Sequence, residues 1–296
     1  MPERASFATH VLDIGEDEVV KRFRSWDRGG HLREWQALTL LASYAPDLAP
    51  APLSADLTSV PPQVRMSRLP GLPLDGLPLD RKAPDRQAPD GLPPDRQAPD
   101  GDGQAVTPGH LDAAAAAISR LHAAVPRDVV TGLRPQPWLE VGVVDRMRSI
   151  VAGRRAPGGD ALARAAFDAG MRWLGRAADP LPGLHSVVFG QGDGNLANYL
   201  WDGERVRLVD FEDSGRSDRA YELAAFAEHL SVWHDAGIET GALLGRFELT
   251  GAERERVLFF RRTFTFYWLL KLLDQRENRP DTLHRQAGRL LAVLGS

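Results

Sequence analysis

The 296-residue sequence contains no cysteine, which excludes disulfides, thiol nucleophiles, Cys-ligated zinc and iron–sulfur clusters together. Lysine is nearly as scarce: only Lys21, Lys82 and Lys271 stand among 36 basic residues, the rest being arginine. Positive charge is not in surplus either. Against 40 acidic residues the net charge is −4, which argues against a nucleic-acid binder that works by neutralising phosphates. The longest apolar stretch, near Phe264–Leu270, falls far short of the roughly 20 residues a membrane span requires. The opening MPERASFATH lacks the apolar core of a secretory leader. The eight histidines include no HExxH or comparable spacing, and His229 and His234, five apart, read as packing or surface residues. A cytoplasmic protein with neither a membrane nor a nucleic-acid partner is expected, of unknown oligomeric state. The 43% hydrophobic content supports one large domain or two modest ones.

Hydrophobic patterning organises the chain. Val11, Leu12 and Ile14 lead into Gly15-Glu16-Asp17, and Val19 to Phe23 follow, which reads as two strands around a turn. Alternation puts Val19, Lys21 and Phe23 on one face. A lysine kept there in so Arg-biased a chain suggests a site that needs an ammonium. A helix is predicted over 31–45, with Glu34 in line with Leu38 and Leu41 on its apolar stripe. A carboxylate in that position requires a partner. A Pro-rich loop follows, then a strand from Gln63 to Met66.

Next comes a tract in which aspartate recurs every fifth residue, at Asp75, Asp80, Asp85, Asp90, Asp95 and Asp100. With few large apolar side chains it cannot offset its ordering entropy, so a disordered or polyproline-like surface loop is expected. Beyond Leu111 the pattern is mostly helical, with single helices predicted over 112–124, 138–151, 160–177, 218–235, 252–275 and 282–294. The aromatic run Phe264, Phe266, Tyr267, Trp268 reads as core. Between the helices, Ser186–Phe189 reads as a strand and Tyr199–Trp201 with Val206–Val209 as a hairpin. The fold class expected is α+β, with a small β-rich N-terminal lobe and a larger helical lobe carrying an inset β-hairpin.

The chemistry concentrates in Gln191-Gly192-Asp193-Gly194-Asn195-Leu196-Ala197-Asn198, the hairpin, and Asp210-Phe211-Glu212-Asp213. Whether the hairpin loop is Asp202-Gly203 or Gly203-Glu204, Asn198 and Asp210 reach its same open end, within about 4.5–5.5 Å if the ladder persists. An amide oxygen and a carboxylate there form a donor pair for Mg²⁺, which fills its other positions with water and phosphate. Asp193 lies in the adjoining loop, within reach of a hydroxyl. Asp218 reads as a helix cap.

Asp193-x4-Asn198 followed by Asp210 resembles the signature of the aminoglycoside phosphotransferase and choline-kinase-like family, which shares the protein-kinase fold. Val20-Lys21-Arg22 resembles that family's nucleotide-binding strand, and Arg33-Glu34 its ion-pair helix. Met66 to Gly71 resembles its hinge, and Gly215 to Leu223 its stretch after the metal aspartate. The resemblance implies a kinase-like two-lobe architecture: a nucleotide-binding lobe over 1–69, a hinge and insert over 70–110, and a catalytic and acceptor-binding lobe over 111–296. It also implies Asp193 as the catalytic acid–base group and Asn198 and Asp210 as Mg²⁺ ligands. Lys21, Glu34, Met66 and Ser6 are the expected nucleotide-site residues. Two positions depart from the pattern: Gln191 stands where the family has histidine, and Arg4 to Thr9 contains none of the glycines of a phosphate-covering loop.

The implied activity is ATP- or GTP-dependent transfer of a phosphoryl group to a hydroxyl of a small cationic molecule, of which an aminoglycoside-type antibiotic is the leading example. Glu212, Asp213 and Glu222 would suit such an amine-rich acceptor. The alternatives are a kinase of a choline-, homoserine- or sugar-type metabolite and a catalytically silent nucleotide-binding module. A protein kinase is disfavoured, because only seven residues separate Asp210 from Asp218.

Overall fold

The computed structural model describes residues 10–75, 106–180, 187–275 and 278–296. Ser6, the glycine-free N-terminal segment and the aspartate repeat beyond Asp75 lie outside the described residues.

Strands β1 (His10–Ile14) and β2 (Glu18–Phe23) form the expected hairpin, followed by helix α1 (Gly30–Tyr44). Strands β3 (Pro52–Asp56) and β4 (Gln63–Ser67) complete an antiparallel sheet of order β1-β2-β4-β3. The region read as a Pro-rich loop therefore contains a strand. It lies at the sheet edge, where a proline at the first position removes no ladder bond from a central strand. Lys21 and Phe23 turn into the interior while Arg22 stays half-exposed, as alternation requires. Glu34, Leu38 and Leu41 of α1 are all buried beneath this sheet.

The short strand β5 (Leu72–Pro73) leads toward the second lobe. Helices α2 (Pro108–Ala124), α3 (Arg127–Gly132), α4 (Pro137–Val141), α5 (Val143–Val151) and α6 (Ala161–Leu174) follow. The helix predicted over 138–151 is two helices, because Gly142 adopts φ 92° and closes one before the next begins. Helix α2 starts four residues earlier than expected. Thr107 accepts the His110 N–H and His110 returns a bond to the Thr107 N–H, a reciprocal cap in which histidine takes the usual glutamate position.

The central β-elements are β6 (Val187–Gly190), β7 (Tyr199–Trp201), β8 (Val206–Leu208) and β9 (Gly215–Asp218). Strand β9 pairs with β6 and β8 with β7, and β5 adds a third strand to the latter sheet. Helix α7 (Arg219–Glu228) starts at Asp218, whose carboxylate accepts the Ala220 N–H at 2.8 Å. The single helix predicted over 218–235 breaks at His229, whose extended backbone leads to a separate π-helical turn, Ser231–Asp235. Helices α8 (Thr240–Leu244), α9 (Gly251–Asp274) and α10 (Pro280–Gly295) complete the chain. Phe260, Phe264, Phe266, Leu269 and Leu272 of α9 pack with Leu283, Ala287 and Leu290 of α10 in one continuous apolar core. The architecture is the α+β arrangement of a small antiparallel-sheet lobe and a larger helical lobe. Among the described residues no helix is long and apolar enough to cross a membrane.

Candidate active site

The hairpin register settles where the two candidate metal ligands lie. Tyr199 pairs with Leu208, Leu200 with Arg207 and Trp201 with Val206, so Gly203-Glu204 forms the loop. The Val209 N–H donates to the Asn198 carbonyl at 3.0 Å, extending the ladder one step. Asp210 therefore comes next to Asn198 at the open end. It does so with φ 66°, a left-handed conformation that aspartate tolerates better than most residues but that still stores strain.

The Asn198 amide donates to Asp193 Oδ2 at 2.9 Å, and the Asn195 N–H donates to Asp193 Oδ1 at 3.1 Å. With its NH₂ group so engaged, Asn198 keeps its carbonyl oxygen as an acceptor. Asp193 leaves 38% of its side chain open to the cavity. Its carboxyl is pushed up to about 7, first by burial and then by the Asp210 and Asp213 carboxylates; solvent at its open face tempers that push without reversing it. Asp213 is likewise pushed up to about 6 by burial and by Glu212, with Arg28 opposing.

Lys21 joins the lobes. Its Nζ lies 2.9 Å from Glu34 Oε2, 2.6 Å from Asp210 Oδ1 and 3.2 Å from Glu212 Oε2. Burial alone would lower the ammonium pKa, but Asp210, Glu34 and Glu212 outweigh it and hold Lys21 well above its usual value. Glu34 Oε2 also accepts the Phe211 N–H at 2.9 Å, and Arg33 donates to the Ser214 carbonyl at 2.9 Å. Two consecutive residues of α1 thus grip the segment after Asp210.

Gln191 takes over a scaffold role. Its amide donates to the Val209 carbonyl at 2.6 Å and more weakly to that of Asp210 at 3.4 Å, fixing the Asp210 turn against the Asp193 loop. That loop is held from behind by buried Glu222, whose Oε2 accepts the N–H groups of Gln191 and Gly192, each at 3.1 Å. Two glycines are required by contact. A Cβ on Gly192 (φ 84°) would lie 2.5 Å from the Asp213 carbonyl, and one on Gly194 would lie 2.5 Å from the Phe226 Cα.

Two of the carboxylates expected to face an amine-rich acceptor are used differently. Glu222 is committed to the loop backbone and to Ser217, and Glu212 sits against Lys21 and His10. Only Asp213 of the three stays without such a commitment to the frame of the site.

His229, read from sequence as a packing or surface residue, is buried at the cleft wall with Nε2 3.9 Å from Asp193 Oδ1. Its Nδ1 accepts the Ser231 N–H at 3.2 Å and lies 2.7 Å from Ser231 Oγ, which itself accepts the Leu196 N–H. That pattern places the ring proton on Nε2, facing Asp193, and burial pushes His229 down to about 4, so it is neutral. No local sequence pattern announces this, because the contact is made by the break after α7. The aromatic run of α9 also does more than pack: Phe264, Tyr267 and Trp268 line the cavity.

Lys21, Glu34, Asp193, Asn198, Asp210, Glu212, Asp213 and His229 all border one cleft of about 710 Å³ between the lobes. At one end, Val19 and Met66, register partners in β2 and β4, face Leu200 and Val209. At the other stand Trp138, Phe264, Tyr267 and Trp268. Among the described residues no group of three or more His, Asp or Glu forms a metal cluster. The hard oxygen donors of Asn198 and Asp210 suit a cation such as Mg²⁺, which needs only one or two protein ligands beside phosphates.

Residues 18–260 match the model of the phosphotransferase enzyme family, and the chain belongs to that family. No curated protein is significantly similar in sequence. Among solved structures, a choline/ethanolamine kinase family protein from Mesorhizobium loti superposes with TM-score 0.56 at 17% identity, covering 99% of this chain and 88% of that one. A thermostable mutant of aminoglycoside phosphotransferase APH(4)-Ia, in ternary complex with ADP and hygromycin B, gives 0.56 at 15% identity over 96% and 88%. Choline kinase LicA from Streptococcus pneumoniae gives 0.54 at 14% over 97% and 90%. At these identities the likeness is one of fold.

Proposed function

We propose that this member of the phosphotransferase family moves the γ-phosphoryl group of ATP or GTP to a hydroxyl of a small molecule. The observation that carries the proposal is the chain of contacts Asp193–Asn198 and Asp210–Lys21–Glu34, at 2.9, 2.6 and 2.9 Å, along one cleft. Phosphoryl transfer asks the protein mainly to position two substrates and to balance the charge on the moving group. Lys21, fixed by Glu34, would meet the nucleotide phosphates, and Val19 and Met66 would wall the base.

Asn198 and Asp210 would hold Mg²⁺, which when bound neutralises phosphate charge. Asp193, held by Asn198 and the Asn195 N–H, would receive the acceptor's proton as the new O–P bond forms. The bond from γ-phosphorus to the bridging oxygen breaks, and the diphosphate leaves with that electron pair. The raised proton affinity of Asp193 suits a group that must take up a proton. Gln191 serves here as a scaffold, which favours an active enzyme over a silent nucleotide-binding module.

Among the solved relatives, one binds ADP and hygromycin B and two are of choline-kinase type. Aminoglycosides and amino alcohols are therefore the acceptor classes to assay first, and an antibiotic-inactivating role in the cytoplasm belongs to the aminoglycoside branch. The experiment is phosphate transfer from labelled ATP and GTP, with Mg²⁺, to a mixed panel of aminoglycosides, amino alcohols, sugars and aryl glycosides. Transfer to any member supports the proposal. Absence of both transfer and nucleotide binding refutes it.

A further inference from the structure

We infer that His229 is the second protein group on the acceptor: its Nε2–H donates to the oxygen of the hydroxyl whose proton goes to Asp193. The inference rests on the phosphotransferase reading and adds to it the residue that holds the attacking oxygen.

The imidazole is fixed in place. Its Nδ1 accepts the Ser231 N–H at 3.2 Å and lies 2.7 Å from Ser231 Oγ, and the ring stands edge-on to Trp268 of α9 at 4.8 Å. The same Ser231 Oγ accepts the Leu196 N–H of the Asp193 loop at 2.9 Å. One buried serine therefore anchors both the imidazole and the loop. The loop in turn rests directly on the end of α7, where a Cβ on Gly194 would lie 2.5 Å from the Phe226 Cα. The spacing between His229 and Asp193 is thus set by the frame of the protein.

What remains is the Nε2–H. Only 3% of His229 is exposed, yet this donor has no hydrogen-bond partner among the described residues, and it faces the cleft that Asp193 also lines. A buried N–H without an acceptor is costly, which marks a place where a partner arrives. The 3.9 Å gap to Asp193 Oδ1 is too wide for a direct hydrogen bond. It suits one oxygen shared by both groups: bonds of about 2.8 Å to each close on that gap with an angle of roughly 90° at the oxygen. A hydroxyl fits, because it donates once and accepts through two lone pairs. Its proton points to Asp193 Oδ1, one lone pair takes the Nε2–H, and the other is free to attack phosphorus. As the O–P bond forms, the hydroxyl proton passes to Asp193, the bond from γ-phosphorus to the bridging oxygen breaks, and the diphosphate leaves with that electron pair. His229 keeps its proton throughout. Its part is to fix the rotation of the nucleophile, the kind of positioning on which phosphoryl transfer depends.

The test compares the full-length wild type with His229→Gln, which returns an N–H near the Nε2 position, and His229→Met, of nearly the same shape without a donor. Each protein is titrated first by calorimetry with Mg²⁺ and a non-hydrolysable ATP analogue. Each is then assayed for transfer from labelled ATP and GTP to kanamycin A, choline, glucose, phenyl β-glucoside and water. With the best of these acceptors, His229→Met is expected to lose kcat roughly tenfold or more, His229→Gln to stay within about threefold of wild type, and both to bind nucleotide equally. Equal kcat in the two variants, or a faster enzyme with Met than with Gln, overturns the inference and makes His229 a packing residue. Absence of transfer to all five acceptors also overturns it, and only the further absence of nucleotide binding refutes the phosphotransferase reading. A second measurement does not depend on how the variants fold. Histidine ¹⁵N NMR of the wild type at pH 7 is expected to show His229 as the neutral Nε2–H tautomer. The Nδ1–H tautomer or an imidazolium overturns the inference.

Discussion

Glu34 accepts the backbone N–H of Phe211 through the same oxygen, Oε2, that receives the Lys21 ammonium, both at 2.9 Å. A helix of the small lobe is thereby bonded to the residue that follows Asp210 in the large lobe. One carboxylate oxygen couples the position of Lys21 to that of Asp210, the two residues proposed to meet a nucleotide from opposite sides.

Replacing Glu34 by Gln keeps the shape and removes the charge. Loss of a charge-assisted bond of about 1.5–3 kcal/mol should weaken nucleotide affinity roughly 10- to 100-fold, measured by calorimetry with Mg²⁺ present. Unchanged affinity would show that Lys21 is held adequately by Asp210 and Glu212 alone.

Glu222 predicts a different signature. Glu222→Ala leaves the N–H groups of Gln191 and Gly192 without their buried acceptor, at about 1–3 kcal/mol for each group. The urea midpoint should fall and kcat with it, with little change in the acceptor KM. A raised acceptor KM at unchanged stability would return Glu222 to the acceptor wall.

His122 lies in α2 far from these groups in sequence, and neither ring nitrogen has a hydrogen-bond partner. Burial pushes it down to about 3, with Arg219 adding to the effect. Between about pH 6.5 and 3 the unfolded chain therefore binds more protons than the folded one, so this residue's contribution to stability rises with pH and is lost on acidification. His122→Leu removes that linkage. Relative to the wild type, the variant should gain about 2 kcal/mol between pH 7.5 and pH 5, read by urea denaturation at both values. A pH-independent difference would contradict the assignment.

The candidate residues that the structure brings together could be picked out in sequence because most of them are placed by local geometry. Lys21 follows from strand alternation, Glu34 from its place on an apolar stripe, and Asn198 and Asp210 from a hairpin whose open end either register would join. Met66 also lines the cleft. What escaped depends on contacts between elements distant in sequence. Edge strand β3 gains its pairing from β4, and the split between α4 and α5 turns on one glycine dihedral. His229 enters the site through a helix break stabilised by Ser231. Glu222 misled because a carboxylate on a helix gives no sign of which backbone N–H groups it will meet.

The central claim is that Asp193 handles the acceptor proton while Asp210 serves the nucleotide end of the same cleft. The most direct measurement is phosphate transfer from labelled ATP and GTP by Asp193→Ala and Asp210→Ala, with nucleotide binding followed in parallel. Asp193→Ala should lose transfer by roughly 10²- to 10⁴-fold while still binding nucleotide, and Asp210→Ala should lose Mg²⁺-dependent nucleotide affinity. Transfer by Asp193→Ala at the wild-type rate would contradict the account.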